Sequence, residues 1–342
     1  MAGLDLKRLG ELGLIEAVRR RAQSSRAAGA WLKGIGDDAA VLRPRAGCDL
    51  VVTSDALIED VHFRWRTTDA GSLGRKALAV NLSDVAAMGA RPLGFLLAWG
   101  LPEDARPEAV EGVLGGLLAQ ARAAGCPLVG GDTVRAPAWM LTVTAFGEVA
   151  RGRALLRSGA KPGDRVLVSG DIGGSALGLA ALESGAAARP GLAPFVRRHL
   201  RPAPPWRSGP LLARARFVHA AIDLSDGLLR DLGHVAEESG VRLRLDVERL
   251  PLARGLRARA AELGLDPLGL ALAGGEDYEL ALCVAARAPG VNELARRFQC
   301  RLTEIGVVER GRGVVCQRAD VSFEPASYPF EHFKPVYDRS EK

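Results

Sequence analysis

The stretch "AAIDLSDGLLRDLGH" (residues 220–234) places two carboxylates between an apolar strand and a helix. Residues 220–222 are apolar, as in a buried strand, and beyond Gly227 apolar side chains recur at helical spacing. Asp223 and Asp226 stand between the two elements. Carboxylates at the end of an apolar strand are costly unless a cation lies beside them. The stretch therefore predicts a strand-to-helix unit whose turn binds a positively charged group.

The composition is that of an ordinary soluble globular protein. The chain has 342 residues, enough for two domains, with 48% hydrophobic and 25% charged residues. No apolar run reaches the ~18 residues of a membrane span and the first residues lack a signal-peptide core, so we expect a cytoplasmic protein without a membrane partner. The five cysteines form no CxxC pair, which disfavours disulfides and structural zinc. The net charge of +6 forms no basic block, which disfavours nucleic-acid binding.

Helical and strand patterns are interspersed along the chain and predict an α/β or α+β fold. Apolar spacing predicts helices at 6–22 and 107–124, the second with Pro107 in its first turn and Gly125 as its stop. Strands are predicted at 49–53, 93–99, 140–147, 165–170, 241–247 and 280–284. The alternation in 241–247 predicts that this strand has one solvated face.

A Gly- and Arg-rich passage near residue 149 predicts a boundary between two domains, 1–148 and 149–342. In the second domain, the proline-rich residues 185–210 predict an irregular crossover with a short helix at 194–200. We therefore expect a ligand site to draw on both domains.

A weak internal repeat links the two predicted domains. "AVNLSDVAAMG" (79–89) is similar to residues 220–231, and in both we expect an apolar strand to give way to a helix at Leu-Ser-Asp. Asp84 and Asp226 would then lie where a strand meets a helix, a place where ligand sites collect.

Further acidic residues follow apolar segments or Gly pairs: Asp37, Asp38, Asp55, Asp132, Glu276 and Asp277. Any one of them could be a helix cap or a turn residue. Caps do not need a preceding Gly-Gly, however, and few occur as Asp-Asp or Thr-Ser-Asp. If the carboxylates converge, each close pair costs about 4 kcal/mol at ~4 Å, so protons or cations must neutralise them.

The chemistry of these side chains favours a magnesium-dependent nucleotide site. Oxygen ligands suit Mg²⁺, Mn²⁺ or Ca²⁺, and Mg²⁺ usually takes one or two carboxylates with water and phosphate completing its shell. Several carboxylates thus predict several ions and a polyphosphate. The GxxxxGK pattern of P-loop enzymes and the HRD and DFG motifs of protein kinases are absent. The Gly-rich residues 169–180 could cradle phosphate or form a tight strand–helix turn.

Eight motifs together resemble the thiamine-phosphate kinase family, which belongs to the aminoimidazole ribonucleotide synthetase-like ATP enzymes. They are "GIGDDAAVL", "TSDALIEDVHF", "KALAVNLSDVAAMGARP", "GGDTVRA", "RSGAKPGD", "HLRPAPP", "AAIDLSDGLLRDLGH" and "LAGGEDYEL". The resemblance runs in order from about residue 8 to residue 333. It implies a two-domain fold of mixed sheets flanked by helices, and a homodimer joined through the N-terminal domains. It also implies ATP-dependent, direct in-line phosphorylation of thiamine phosphate to thiamine diphosphate with several Mg²⁺ ions.

The resemblance also implies site residues. The metal positions are Asp38, Thr53, Ser54, Asp55, Asp84, Asp132, Asp223 and Asp226, of which Asp84, Asp132 and Asp223 are expected to be catalytic. ATP contacts fall on Gly131, Asp132, Arg157 and Ser225, and thiamine-phosphate contacts fall on His62, Glu276 and Phe330. In the segment around Phe330 the family often has a Gly where this chain has Pro329.

Other interpretations of these residues remain open at this point. His62 could be a surface residue, Arg157 part of a salt bridge, Phe330 a core residue and Glu276 a solvated turn carboxylate. The chain could also be another enzyme of the same superfamily, such as aminoimidazole ribonucleotide synthetase or selenophosphate synthetase, or a non-catalytic nucleotide-binding regulator. The first cysteine is Cys48, so the reactive N-terminal Cys typical of selenophosphate synthetases has no counterpart here.

Overall fold

The structure is a computed structural model that describes residues 6–23, 30–35, 39–318 and 321–323. Over these ranges the α-helices are Leu6–Gln23 (α1), Ala70–Ala87 (α2), Pro107–Ala124 (α3), Gly174–Glu183 (α4), Ala193–Leu200 (α5), Gly209–Arg214 (α6), Leu228–Ser239 (α7), Leu256–Glu262 (α8), Pro267–Ala273 (α9) and Val291–Phe298 (α10). A 3-10 turn spans Val247–Arg249.

The strands over the same ranges form three sheets. They are Trp31–Lys33 (β1), Val41–Leu42 (β2), Cys48–Ile58 (β3), Arg91–Leu101 (β4), Leu128–Arg135 (β5), Met140–Ala150 (β6), Arg165–Ser169 (β7), Val218–Asp223 (β8), Arg242–Asp246 (β9), Leu280–Val284 (β10), Leu302–Glu309 (β11), Gly313–Arg318 (β12) and Val321–Phe323 (β13). β1 and β2 form a separate two-stranded sheet.

The first large sheet has the order β3-β6-β4-β5. β6 pairs antiparallel with β3 and β4, and β5 runs parallel to β4 after the crossover through α3. Apolar side chains of α2 and α3 share one core with one face of this sheet. On the opposite face Leu50 and Val52 of β3 are 43% and 54% exposed, so we name this side the open face.

The second large sheet has the order β13-β12-β9-β11-β7-β10-β8, with β12 and β9 parallel and the other pairs antiparallel. Its edge strand β8 contacts α2, which on its other side contacts β3 and β6 of the first sheet. α2 is therefore the element that joins the two large sheets. Mixed sheets flanked by helices confirm the predicted α/β (α+β) class.

Residues 79–89 do not form the predicted strand followed by a helix. α2 is continuous from Ala70 to Ala87, and Asp69 caps its N-terminus because its side chain accepts a hydrogen bond from Ser72 N. Most of its residues are buried, because a sheet, α3 and the second half of the chain surround it. A helix buried on every side is apolar on every side, so its sequence lacks the helical period and resembles a buried strand.

Several predicted elements are confirmed. The helices at 6–22 and 107–124 are α1 and α3, and Gly125 adopts the left-handed conformation that ends α3. The six predicted strands are β3, β4, β6, β7, β9 and β10, and the short helix in 185–210 is α5. The chain has five free cysteines. No helix among the described residues is long and apolar enough to cross a membrane.

Candidate active site

Four carboxylates approach one another where α2 meets the edges of the two large sheets. This acidic cluster consists of Asp55 on β3, Asp84 on α2, Asp223 at the end of β8 and Asp226 in the turn before α7. Thr53 Oγ1 donates to Asp84 Oδ2 at 2.5 Å, and Ser83 Oγ donates to Asp223 Oδ2 at 2.8 Å. Because Ser83 and Asp84 are neighbours on α2, these two hydrogen bonds link β3 to β8 through one helix.

Burial raises the pKa of Asp55, Asp84 and Asp223, and repulsion by neighbouring carboxylates raises the pKa of Asp55 and Asp223 further. The pKa of Asp55 rises to about 6, through burial and then through the charges of Asp84 and Asp226. Burial also raises the pKa of Asp84, against the opposing effects of the Thr53 hydrogen bond and the Arg157 charge. Asp223 is only 4% exposed, and burial and Asp84 raise its pKa well above the ordinary value. The cluster therefore gains stability from any added positive charge.

Stability in the absence of metal should fall as pH rises from 5 to 8. Burial raises the pKa of Asp55 and Asp277 to about 6. Burial also raises the pKa of Asp231 and Glu279 to about 7. These values exceed those of the unfolded chain, so the native state binds more protons and its free energy of unfolding decreases as these groups ionise.

Thermal denaturation in EDTA at pH 5, 6, 7 and 8 checks this expectation. We expect the melting temperature to drop by several degrees across this range, and to drop less in Asp55→Asn because one of the titrating groups is gone. A melting temperature that rises between pH 5 and pH 8 would show that these carboxyls are not held protonated in the native state.

The donor set fits Mg²⁺. The four carboxylates and the Thr53 hydroxyl supply only oxygen ligands, which hard divalent cations prefer. Among the residues that the structure describes, no group of three or more His, Cys, Asp and Glu side chains forms a metal site by itself. Mg²⁺ usually takes one or two protein carboxylates and completes its shell with water and phosphate oxygens. Asp55, Asp84, Asp223 and Asp226 are the described carboxylates that could bind it in this way.

The sequence predicted that a strand ends at the Thr53-Ser54-Asp55 segment, but the strand continues through it. It lies inside β3, which pairs with β6 from Cys48 to Ile58. Successive strand residues point to opposite faces, so Thr53 and Asp55 face α2 whereas Ser54 lies on the open face. There the Ser54 hydroxyl lies 3.0 Å from Thr144 Oγ1.

Asp132 also lies on the open face and does not join the acidic cluster. It pairs in register with Ala98, which pairs with Thr142. Ser54 and Asp132 lie on the two edge strands of this sheet, β3 and β5, a separation of about 14 Å at the usual strand spacing. Within one chain Asp132 therefore lies apart from the acidic cluster, and its expected role as a metal ligand and catalytic residue stays a prediction.

Gly131 is required by its backbone. Its φ of +146° is rare for residues with a side chain, and a Cβ there would lie 1.8 Å from Leu97 O on β4. The glycine lets β5 approach β4 closely just before Asp132. Next to it, Trp99 Nε1 donates to Thr133 Oγ1 at 2.8 Å.

The candidate ATP contacts outside β5 lie near the acidic cluster. Arg157 is exposed, and its charge acts on both Asp84 and Asp231. Ser225 is half-buried between Asp223 and Asp226, and its carbonyl accepts a hydrogen bond from Glu276 N at 2.7 Å. Both residues follow β6 in the chain and border the acidic cluster.

The Gly-rich segment 169–180 holds an internal carboxylate. Gly173 N and Ser175 N, at the start of α4, donate to the two oxygens of Asp277 at 2.6 and 3.1 Å. Asp277 therefore occupies the position that a phosphate would take at this helix N-terminus. The structure thus supports the strand–helix turn rather than the phosphate cradle for these glycines.

Two of the three candidate contacts to thiamine phosphate, His62 and Glu276, lie among the residues that the structure describes. His62 is half-buried just beyond β3, and its Nδ1 accepts a hydrogen bond from Ile58 N at 3.1 Å. Glu276 is no solvated turn residue, because Lys76 Nζ lies 2.7 Å and His199 Nδ1 3.0 Å from its two oxygens. Asp38 and Phe330 lie outside the described residues.

Sequence reasoning missed three residues at this site: Lys76, His199 and Asp231. Lys76 is 3% exposed although lysine is almost never fully buried without a partner. Asp231 Oδ2 accepts hydrogen bonds from Asp226 N and Gly227 N, both at 3.1 Å, and so fixes the turn that carries Asp226. All three residues lay inside the quoted motifs, and for Lys76 and Asp231 the available signal was a charge among apolar neighbours.

The fold and the acidic cluster are those of a protein built from two AIR synthase-related domains. Residues 36–149 match the family model described as AIR synthase related protein, N-terminal domain, and residues 161–318 match the one for the C-terminal domain. The chain is 39% identical over 331 residues to the thiamine-monophosphate kinase of Salmonella typhimurium, covering 95% of this chain and 98% of that protein. The chain belongs to the thiamine-monophosphate kinase family.

Solved structures agree with this assignment. The crystal structure of thiamine-monophosphate kinase from Stenotrophomonas maltophilia has 42% sequence identity and a TM-score of 0.80, covering 90% of this chain and 97% of that chain. A structure described as AaThiL complexed with AMPPCP and TMP has 32% identity and a TM-score of 0.75, covering 97% of this chain and 100% of that chain.

Proposed function

We propose that this protein uses ATP to phosphorylate thiamine phosphate, yielding thiamine diphosphate and ADP. The observation that carries the proposal is the convergence of Asp55, Asp84, Asp223 and Asp226 in a chain of this family. The relative complexed with AMPPCP, an ATP analogue, and TMP supports the same pair of substrates. A buried anionic cluster would repel both phosphorylated substrates unless cations were bound there as well.

We propose that the acidic cluster, with Thr53, holds several Mg²⁺ ions, and that Asp38 adds to this set. When bound, such ions would neutralise the negative charge of the phosphates that these residues hold in place. Asp84 and Asp223 are proposed to be catalytic, with their carboxylates held by the hydroxyls of Thr53 and Ser83. Asp231 keeps the backbone of Asp226 in place.

The transfer itself is proposed to be direct and in line. An oxygen of thiamine phosphate attacks the γ-phosphorus of ATP, a new P–O bond forms, and the bond to the β-phosphate oxygen breaks to release ADP. Such a transfer depends on positioning and charge neutralisation and needs no covalent intermediate on the protein. Arg157 would bind phosphate oxygens with its planar fork of donors, and Ser225 would contact ATP beside it.

The thiamine end of the substrate is proposed to bind at Glu276, His62 and Phe330. Glu276 is ionised, since Lys76 and His199 lower its pKa to about 2 against the effect of burial. It can therefore accept a hydrogen bond from the amino group of the pyrimidine. In this proposal the Phe330 ring stacks on the flat cationic rings, which adds ~0.5–2 kcal/mol of cation–π attraction.

We further propose a homodimer formed through the open face of the first sheet. Leu50, Val52 and Val134 are exposed apolar side chains of this sheet, and Leu50 and Val52 form an apolar strip on its open face. Ser54 and Asp132 lie on the face that a second copy would cover. In the dimer, these two residues and Gly131 would therefore lie at the interface and contribute to the nucleotide site there. The free thiols are consistent with a cytoplasmic location.

A turnover assay with ATP, Mg²⁺ and thiamine phosphate tests the function. We expect equal amounts of ADP and thiamine diphosphate, and no product once EDTA removes the metal. ATP-dependent turnover of a ribonucleotide amidine without turnover of thiamine phosphate would instead indicate aminoimidazole ribonucleotide synthetase activity. ATP binding without turnover of either compound would indicate a regulator.

A further inference from the structure

Glu276 lies between two buried basic side chains that come from distant parts of the sequence. Lys76 Nζ is 2.7 Å from Oε1, and His199 Nδ1 is 3.0 Å from Oε2. Lys76 belongs to α2, beside the first sheet, and His199 belongs to α5 in the second half of the chain. They are 3% and 7% exposed. We name Lys76, Glu276 and His199 the glutamate clamp.

The protonation states of the clamp follow from its geometry. A carboxylate only accepts hydrogen bonds, so His199 must carry a proton on Nδ1 to bond to Oε2. Ser175 Oγ lies 3.1 Å from the same nitrogen and adds a second contact to the ring. Both Glu276 oxygens thus have a charged or polar donor, and the side chain is fixed in one orientation.

The backbone around Glu276 also restricts where its side chain can lie. Glu276 has a φ of +64°, in the left-handed region that is unusual for residues other than glycine. Its N–H donates to Ser225 O at 2.7 Å, and Tyr278 N donates to Leu224 O at 2.8 Å. The loop that carries Glu276 is therefore bonded to the loop that carries Asp226, and strained backbone of this kind collects at functional sites.

We infer that Lys76 and His199 are positioning residues for the second substrate, which hold Glu276 in the orientation that accepts a hydrogen bond from thiamine phosphate. The inference rests on the proposed function. Lys76 and Asp84 both lie on α2, eight residues apart, or about 12 Å along the helix axis. The same helix therefore sets the distance between the substrate's organic end and the acidic cluster.

Lys76→Met tests the inference, since it removes the charge and keeps most of the side-chain volume. We expect the KM for thiamine phosphate to rise about 10- to 100-fold, which corresponds to the loss of one charge-assisted hydrogen bond. The KM for ATP should stay within about twofold of the wild type, because the ATP contacts lie elsewhere. Lys76→Arg should restore most of the thiamine-phosphate affinity.

Two controls separate positioning from general damage. Lys161→Met makes the same chemical change at an exposed lysine in the turn before β7 and should leave both KM values unchanged. His199→Asn retains an N–H donor near the Nδ1 position and should bind thiamine phosphate better than His199→Leu.

A double-mutant cycle tests whether Lys76 acts through Glu276. If it does, Lys76→Met should add little to the loss already caused by Glu276→Gln. Fully additive losses would overturn the inference, as would an unchanged KM for thiamine phosphate in Lys76→Met. A parallel rise of both KM values with a lower melting temperature would show a structural role and would overturn it as well.

The wild-type assay keeps the two proposals apart. If the wild type phosphorylates thiamine phosphate and Lys76→Met behaves like it, the inference about the glutamate clamp is overturned and the proposed function stands. A wild-type protein that binds ATP and does not phosphorylate thiamine phosphate would remove both.

Discussion

Replacing Asp84 by asparagine should lower kcat for thiamine phosphate about 10²- to 10³-fold, the usual effect of removing one electrostatic group from an active site. The amide can still accept the hydrogen bond from Thr53, so the local geometry survives. It carries no charge, so the acidic cluster loses much of its attraction for divalent cations. Steady-state kinetics at saturating ATP and varied Mg²⁺ would measure the loss.

The metal-free stability of the same variant is the control for folding. Burial raises the pKa of Asp84, and its charge raises the pKa of both Asp55 and Asp223. Removing that charge should leave the melting temperature in EDTA unchanged or higher. Asp246→Asn, at the cap of the 3-10 turn after β9, is the matched substitution and should leave kcat unaltered. Near-normal turnover in Asp84→Asn would mean that this carboxylate only anchors Thr53.

Replacing Gly116 by alanine should lower the free energy of unfolding by about 3 kcal/mol, at the upper end of overpacking effects. α3 packs backbone to backbone against α2 at this point, since a Cβ on Gly116 would lie 2.0 Å from Gly71 O. Gly74 makes the reciprocal approach, with Val113 O at 1.9 Å from its added Cβ. A backbone carbonyl cannot rotate away, so α2 would have to shift together with Asp84 and Lys76.

The neighbouring residue provides the matched control for this prediction. Gly115 lies on the solvent side of α3, and nothing lies within 4 Å of its added Cβ. Gly115→Ala should therefore stabilise the protein by about 0.5–1 kcal/mol, the usual gain inside a helix. Denaturant unfolding of both variants would give the two values. Equal effects of the two substitutions would contradict the close packing of α2 against α3.

Periodic patterns in the sequence were enough to predict elements that have one apolar face. α3 shows a complete apolar stripe between a proline start and a glycine stop, and its predicted bounds match the structure. β9 alternates, with Leu243 and Leu245 buried and the polar Arg242, Arg244 and Asp246 more exposed. α2 was misassigned because it is buried on all sides, and a helix without a polar face has no period to detect.

The family resemblance grouped Asp55, Asp84, Asp223 and Asp226 with Asp38 and Asp132 in one expected metal site, and the structure brings the first four near one another. Burial and repulsion were the expected consequences, and the raised pKa values of Asp55 and Asp223 bear this out. The sequence alone thus determined the α/β class, the oxygen-rich chemistry of the site and the family resemblance. These depend on local periodicity and on side-chain chemistry, which a linear pattern contains.

Only the tertiary structure decided which face of each element carries a functional group. Strand alternation sends Thr53 and Asp55 toward α2 but Ser54 toward the open face, where strand pairing also places Asp132. Lys76 and Glu276 are 200 positions apart in the sequence, yet packing joins them at 2.7 Å. Strand register and helix packing arise from long-range contacts, so no short segment contains the information that sets them.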